Sequence, residues 1–106
     1  MYAGVDRLDA PVADTRVEAV DVAGSMVLLT ERNTGIRRAE IEGQLHRFTA
    51  DPGLLAAVAR AYTDHNPSAP TLAEVRIVVR WYELRGGYPT GVNHDETLVT
   101  WQKANP

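Results

Sequence analysis

The stretch Glu74-Val75-Arg76-Ile77-Val78-Val79-Arg80-Trp81-Tyr82-Glu83-Leu84 decides how this chain folds. Val75, Ile77, Val79 and Trp81 alternate with Arg76, Val78, Arg80 and Tyr82, the two-residue period of a strand with one buried face. Burying the odd-numbered side chains is worth about 1.5–3 kcal/mol each, enough to fix the register. A second β-like run, Thr97 to Trp101, follows a glycine-rich segment, so the C-terminal third reads as a long hairpin with a tryptophan near the end of each arm.

Upstream, Arg16 to Val22 reads as a strand and Met26 to Thr30 as its partner, joined by a turn at Ala23-Gly24-Ser25. Met26-Val27-Leu28-Leu29 is apolar at every position, the pattern of a central strand or one covered on both faces. Residues 1–15 carry Pro11 and no periodicity, and read as an irregular N-terminal arm.

Between the hairpins the period lengthens. Ile41, Leu45 and Phe48 recur at helical spacing from Ile36 onward, with Arg37, Arg38, Glu40, Glu42 and Arg47 on other faces. Gly43 inside that helix would cost about 1 kcal/mol relative to alanine. A third strand after the Asn33-Thr34-Gly35 turn is the rival reading. The second helix has Asp51 as N-cap, Pro52 in the first helical position, and a stripe of Leu54, Leu55, Val58, Ala61 and Tyr62. Asn66-Pro67 ends it.

The expected fold is therefore α+β, in the order β-β-α-α-β-β. It is a mainly antiparallel four-stranded sheet with two helices on one face, and residues 1–106 form a single domain. The length of 106 residues suits one core of ordinary size, since domains commonly run to about 100–150 residues.

Composition excludes more than it assigns. With no cysteine there is no disulfide, thiolate nucleophile, zinc ribbon or iron–sulfur cluster. A net charge of −3, with no basic block longer than Arg37-Arg38, argues against nucleic acid or an anionic membrane surface as the main partner. Neither a signal-peptide pattern nor an apolar run of about 20 residues is present, so the chain reads as a soluble domain, cytoplasmic or membrane-associated, without direct membrane insertion. Ten of the eleven basic residues are arginine, which suggests a GC-rich genome.

Among the polar clusters, His94-Asp95-Glu96 comes nearest to a metal or acid–base site. An imidazole and two carboxylates would coordinate a divalent ion if the chain turned them inward, with His65 or His46 added from the helices. Neighbours on an extended segment point apart, however, and a solvated loop leading into a strand explains the same residues. His65 suits capping at the end of a helix, and His46 the edge of the core. The segment Arg85 to Gly91 is glycine-rich but matches no phosphate-binding fingerprint, and no serine stands in a nucleophile elbow. Arg76, Arg80 and Tyr82 share the even-numbered face of the strong strand and, with Tyr88 in the hairpin loop Gly86 to Asn93, form a cationic and aromatic docking patch on this reading.

Three segments carry a family resemblance: the start Met1-Tyr2-Ala3, the helix opening Asp51-Pro52-Gly53-Leu54-Leu55, and the strand Ala73-Glu74-Val75-Arg76-Ile77. They resemble soluble tails that follow the membrane-spanning part of actinobacterial proteins similar to the vitamin K-dependent γ-carboxylase family. The resemblance spans most of Met1 to Trp101 through short motifs. It implies an extramembrane domain whose family chemistry resides in the membrane part, so no functional residue carries over.

The expected function is that of a non-catalytic accessory module docking on another protein or on the membrane-bound remainder of its parent chain, with no cofactor. The alternative is a small-molecule or metal-binding domain, an enzyme included, built on His94, Asp95 and Glu96. An open sheet edge would also allow homo-oligomers.

Overall fold

In the computed structural model, residues 12–103 are described, and they form a mixed α+β domain around one four-stranded antiparallel sheet. The strands are β1 (Val12–Asp21), β2 (Met26–Leu29), β3 (Leu72–Arg85) and β4 (Tyr88–Gln102), in the spatial order β2-β1-β3-β4. Each neighbouring pair is antiparallel, with Val17 opposite Leu29 on one side and Ile77 on the other.

The connection between β2 and β3 is α1 (Glu31–Thr34), α2 (Arg38–Glu42), α3 (Leu45–Ala50), a 3₁₀ turn (Pro52–Leu54) and α4 (Leu55–His65). The single helix expected from Ile36 onward is thus two short ones, α2 and α3, and α1 precedes it where a turn was expected. Thr30 caps α1 reciprocally with Asn33: the Asn33 N–H donates to Thr30 Oγ1 at 3.3 Å and the Thr30 N–H to Asn33 Oδ1 at 2.8 Å. The chain breaks again at Gly43-Gln44, where the weak helix former would have sat mid-helix. Asp51 caps the next segment as expected, accepting from the Gly53 N–H at 3.1 Å.

The odd face of β3 carries the core. Val75 and Ile77 are fully buried, and they cluster with Val17 and Ala19 of β1, Val99 of β4, and Ile41, Phe48, Leu55, Val58 and Tyr62 from the helices. Trp81 lies farther along the same face, opposite Ala13 and His94, and is only partly covered. Helical cover ends before it. Its indole N–H instead donates to Glu96 Oε1 at 3.1 Å.

Three strand expectations need correction. β1 begins at Val12, so residues 12–15 of the expected irregular arm are strand; residues 1–11 lie outside the described residues. Charges at Asp14, Arg16 and Glu18 already mark the period of two there, masked by Pro11 just upstream. β2 is a four-residue edge strand, and its unbroken apolar run leaves Met26 and Leu28 exposed on the side opposite the helices. β4 begins at Tyr88, far before Thr97. The glycine-rich loop shrinks to a two-residue turn in which Gly86 and Gly87 both have positive φ, 59° and 84°, the backbone that a tight hairpin demands and glycine supplies cheaply.

No helix among the described residues is long and apolar enough to cross a membrane.

Candidate functional site

On the even face of the sheet, which the described helices leave open, the side chains form one hydrogen-bonded ion mesh. Arg80 grips Asp95 with two nitrogens, Nε to Oδ1 at 2.7 Å and Nη2 to Oδ2 at 3.2 Å. Arg16 reaches the same carboxylate, Nη2 to Oδ2 at 2.8 Å, and also donates to Glu18. Arg76 donates to the other oxygen of Glu18 at 3.2 Å and to Glu74 at 2.8 Å, and Gln102 Nε2 donates to Glu74 at 3.1 Å. Three guanidiniums and three carboxylates from β1, β3 and β4 so neutralise one another.

Cross-strand register explains the mesh. Glu18 stands opposite Arg76 on the adjacent strand, and Asp95 opposite Arg80. Val78 stands opposite Arg16 and between Arg76 and Arg80 along its own strand, and it is only 3% exposed. Protonation follows the contacts. Hydrogen bonds from Arg80 first, then Arg16, hold the Asp95 carboxyl well below the usual carboxylate range. Burial alone would raise Glu18, but the hydrogen bonds from Arg16 and Arg76 outweigh it and leave its pKa lowered. Arg16 and Arg80 are pushed further up, Asp95 being the largest cause for each.

Of the four residues expected to form a docking patch, Arg76 and Arg80 therefore spend their charge inside the sheet. Tyr82 is half-buried on the same face, and Tyr88 stands at the turn end of the hairpin. The structure does not bring the four together as a cationic surface.

The histidine and carboxylates of the rival reading lie within β4, not in a loop. His94 and Glu96 stand opposite Trp81 and Val79 on the helix-side face, while Asp95 turns to the other face and its arginines. His65 closes α4, its Nδ1 3.0 Å from the Ala61 carbonyl oxygen, and His46 is exposed on α3. Among the described residues no group of three or more His, Asp or Glu is arranged to hold a metal ion.

Two other features stand out. Past Tyr82, which pairs with Val12, no third strand among the described residues joins the β3–β4 hairpin, and residues 85–97 are all exposed. Tyr88 is 75% and Val92 56% exposed on this arm. An irregularity at residues 90–92 bends it, with Thr90 Oγ1 accepting from the Val92 N–H at 3.2 Å. The second feature is a cavity of about 390 Å³ between the β1 edge and the helices, with Val17, Leu29, Ile36, Ile41 and Val58 supplying apolar wall and Thr15, Asp14 and Arg38 polar groups. No sequence signal marked it, because it forms where β2 stops short of β1.

Comparison with known proteins returns no matching family model, no matching curated protein and no matching solved structure.

Proposed function

We propose that this domain is a non-catalytic protein-interaction module that docks through its β3–β4 arm. The observation carrying this reading is the exposure of Tyr88 and Val92 on a ribbon that no third strand among the described residues joins. An isolated hairpin is marginally stable in water, and an exposed aromatic beside an exposed aliphatic supplies the anchors that protein interfaces favour. The ion mesh supports the same choice by elimination, because arginines already neutralised in the sheet offer little to an incoming partner. On this reading the partner is another protein or the membrane-bound remainder of a parent chain, and neither catalysis nor a cofactor is required.

The test is a paired serine variant, Tyr88→Ser with Val92→Ser, compared with the unaltered protein for co-purification of a partner at native expression level. The reading predicts loss of that partner with an unchanged melting temperature. Retention of every specific partner by the folded double variant would overturn it.

A further inference from the structure

We infer that β2 is a self-association surface: two copies of this chain pair their β2 strands antiparallel about a two-fold axis at Val27, joining their sheets edge to edge. The inference stands apart from the arm, which belongs to the opposite end of the strand order.

β2 ends the order β2-β1-β3-β4, so no strand among the described residues lies on its far side. Along an antiparallel strand, successive residues turn their N–H and C=O to alternate sides. The Asp21 N–H donates to Ser25 O at 2.9 Å, so Ser25, and Val27 two residues on, face β1, while Met26 and Leu28 face away. A second contact agrees. The Leu28 carbonyl accepts from Asn33 Nδ2 of α1 at 3.0 Å, as a carbonyl turned away from β1 would. A carbonyl oxygen has two lone pairs, so this bond leaves it able to accept another.

The side chains of β2 specify what pairs with it. Met26 is 64% and Leu28 54% exposed, both on the side opposite the helices, and no residue of the strand is charged. Centring the pairing on Val27 sets Met26 against Leu28 of the second copy, Leu28 against its Met26, and Val27 against its own counterpart. Moving the centre by one residue sets Leu28 against Gly24 or Met26 against Thr30. Only the Val27 centre meets apolar with apolar throughout, and it makes the outward-facing Met26 and Leu28 the pair that exchanges main-chain hydrogen bonds. A surface that complements itself in this way suits the isologous contact of a two-fold dimer. The opposite edge differs. β4 carries Pro89, a register irregularity and His94-Asp95-Glu96, devices that keep a strand edge from pairing. The protection of β2 is its length of four residues, which makes the dimer a weak one.

The test is sedimentation velocity from low to high micromolar protein. The inference predicts a reversible dimer. Met26→Lys with Leu28→Lys, which opposes lysines across the axis, should weaken it by about tenfold or more, and Met26→Glu with Leu28→Lys, which opposes glutamate to lysine, should restore it. The chain has no cysteine, so a third variant is a clean probe. Val27→Cys should form an intermolecular disulfide on mild oxidation faster than Met26→Cys, although Met26 is the more exposed, because position 27 faces its own counterpart. Tyr88→Ser with Val92→Ser should leave the dimer intact, which separates this result from that of the arm. A monomer at every concentration, a dimer that the double lysine variant leaves intact, no restoration by the glutamate–lysine pair, or equal disulfide yields from positions 26 and 27 would each overturn the inference. The disulfide comparison decides the matter even if a charge variant fails to fold.

Discussion

Glu18 lies between Arg16 and Arg76, each guanidinium donating to a different oxygen of its carboxylate. With its side chain 13% exposed, Glu18 is the best-shielded charge of the mesh, and like Asp95 it joins an arginine of β1 to an arginine of β3. Its removal leaves Arg16 with Asp95 and Arg76 with Glu74, and breaks the Arg16–Glu18–Arg76 link between β1 and β3 while the one through Asp95 remains. Glu18→Gln should destabilise the fold by about 1–3 kcal/mol, the range for losing hydrogen bonds to charged groups, read from urea unfolding at neutral pH.

The same carboxylates set the response to acid. Glu18 and Asp95 both have lowered folded pKa values, so the stability they contribute is fully present above the ordinary carboxylate range, about 4, and is lost as pH falls below it. Melting temperature should be level from pH 7 to 5 and then drop. In Glu18→Gln the acid limb should be shallower, and an equally steep limb would show that Glu18 does not contribute to it.

Gly35 closes α1 at φ 78°, and a Cβ there would stand 2.9 Å from the His65 ring. Gly35→Ala should therefore suffer twice, by about 1–2 kcal/mol for an L-residue held left-handed and about 1–3 kcal/mol for crowding. Introducing His65→Ala first should remove the crowding part only. A double-mutant cycle measures the difference, and additive costs would mean the ring moves aside freely.

Core depth along β3 should grade the cost of truncation. Ile77 is fully buried beneath the helices and Trp81 lies beyond their cover. Ile77→Ala should cost about 2–5 kcal/mol in urea unfolding. Trp81→Phe, which keeps a ring and gives up the bond to Glu96, should cost less than Ile77→Ala.

Asp95 is committed to two arginines and points away from His94 and Glu96. Zinc, nickel or calcium at millimolar concentration should leave the melting temperature unchanged, because only an ion that binds the folded form raises it. A rise abolished by His94→Ala would restore the metal reading.

The sheet was legible where one physical signal dominated. Alternation from Val75 to Val79 identified β3 and its buried face, and Asp51-Pro52 with the Leu55, Val58 and Tyr62 stripe identified α4. Residues 88–96 misled because glycine, proline, asparagine and charged side chains signal a loop, whereas both faces of an arm in solvent place no demand for apolar alternation. Arg76 and Arg80 looked like a docking surface because their partners Glu18 and Asp95 lie 58 and 15 residues away and meet them only through strand register.

The central claim, that the exposed arm is the docking surface, is tested most directly by placing a photo-activatable phenylalanine analogue at position 88, with position 46 on α3 as the control, and irradiating cells that express either form. The account predicts a discrete covalent adduct with one protein from position 88, absent from position 46 and lost with Val92→Ser. No adduct from position 88, or the same adducts from both positions, would contradict it.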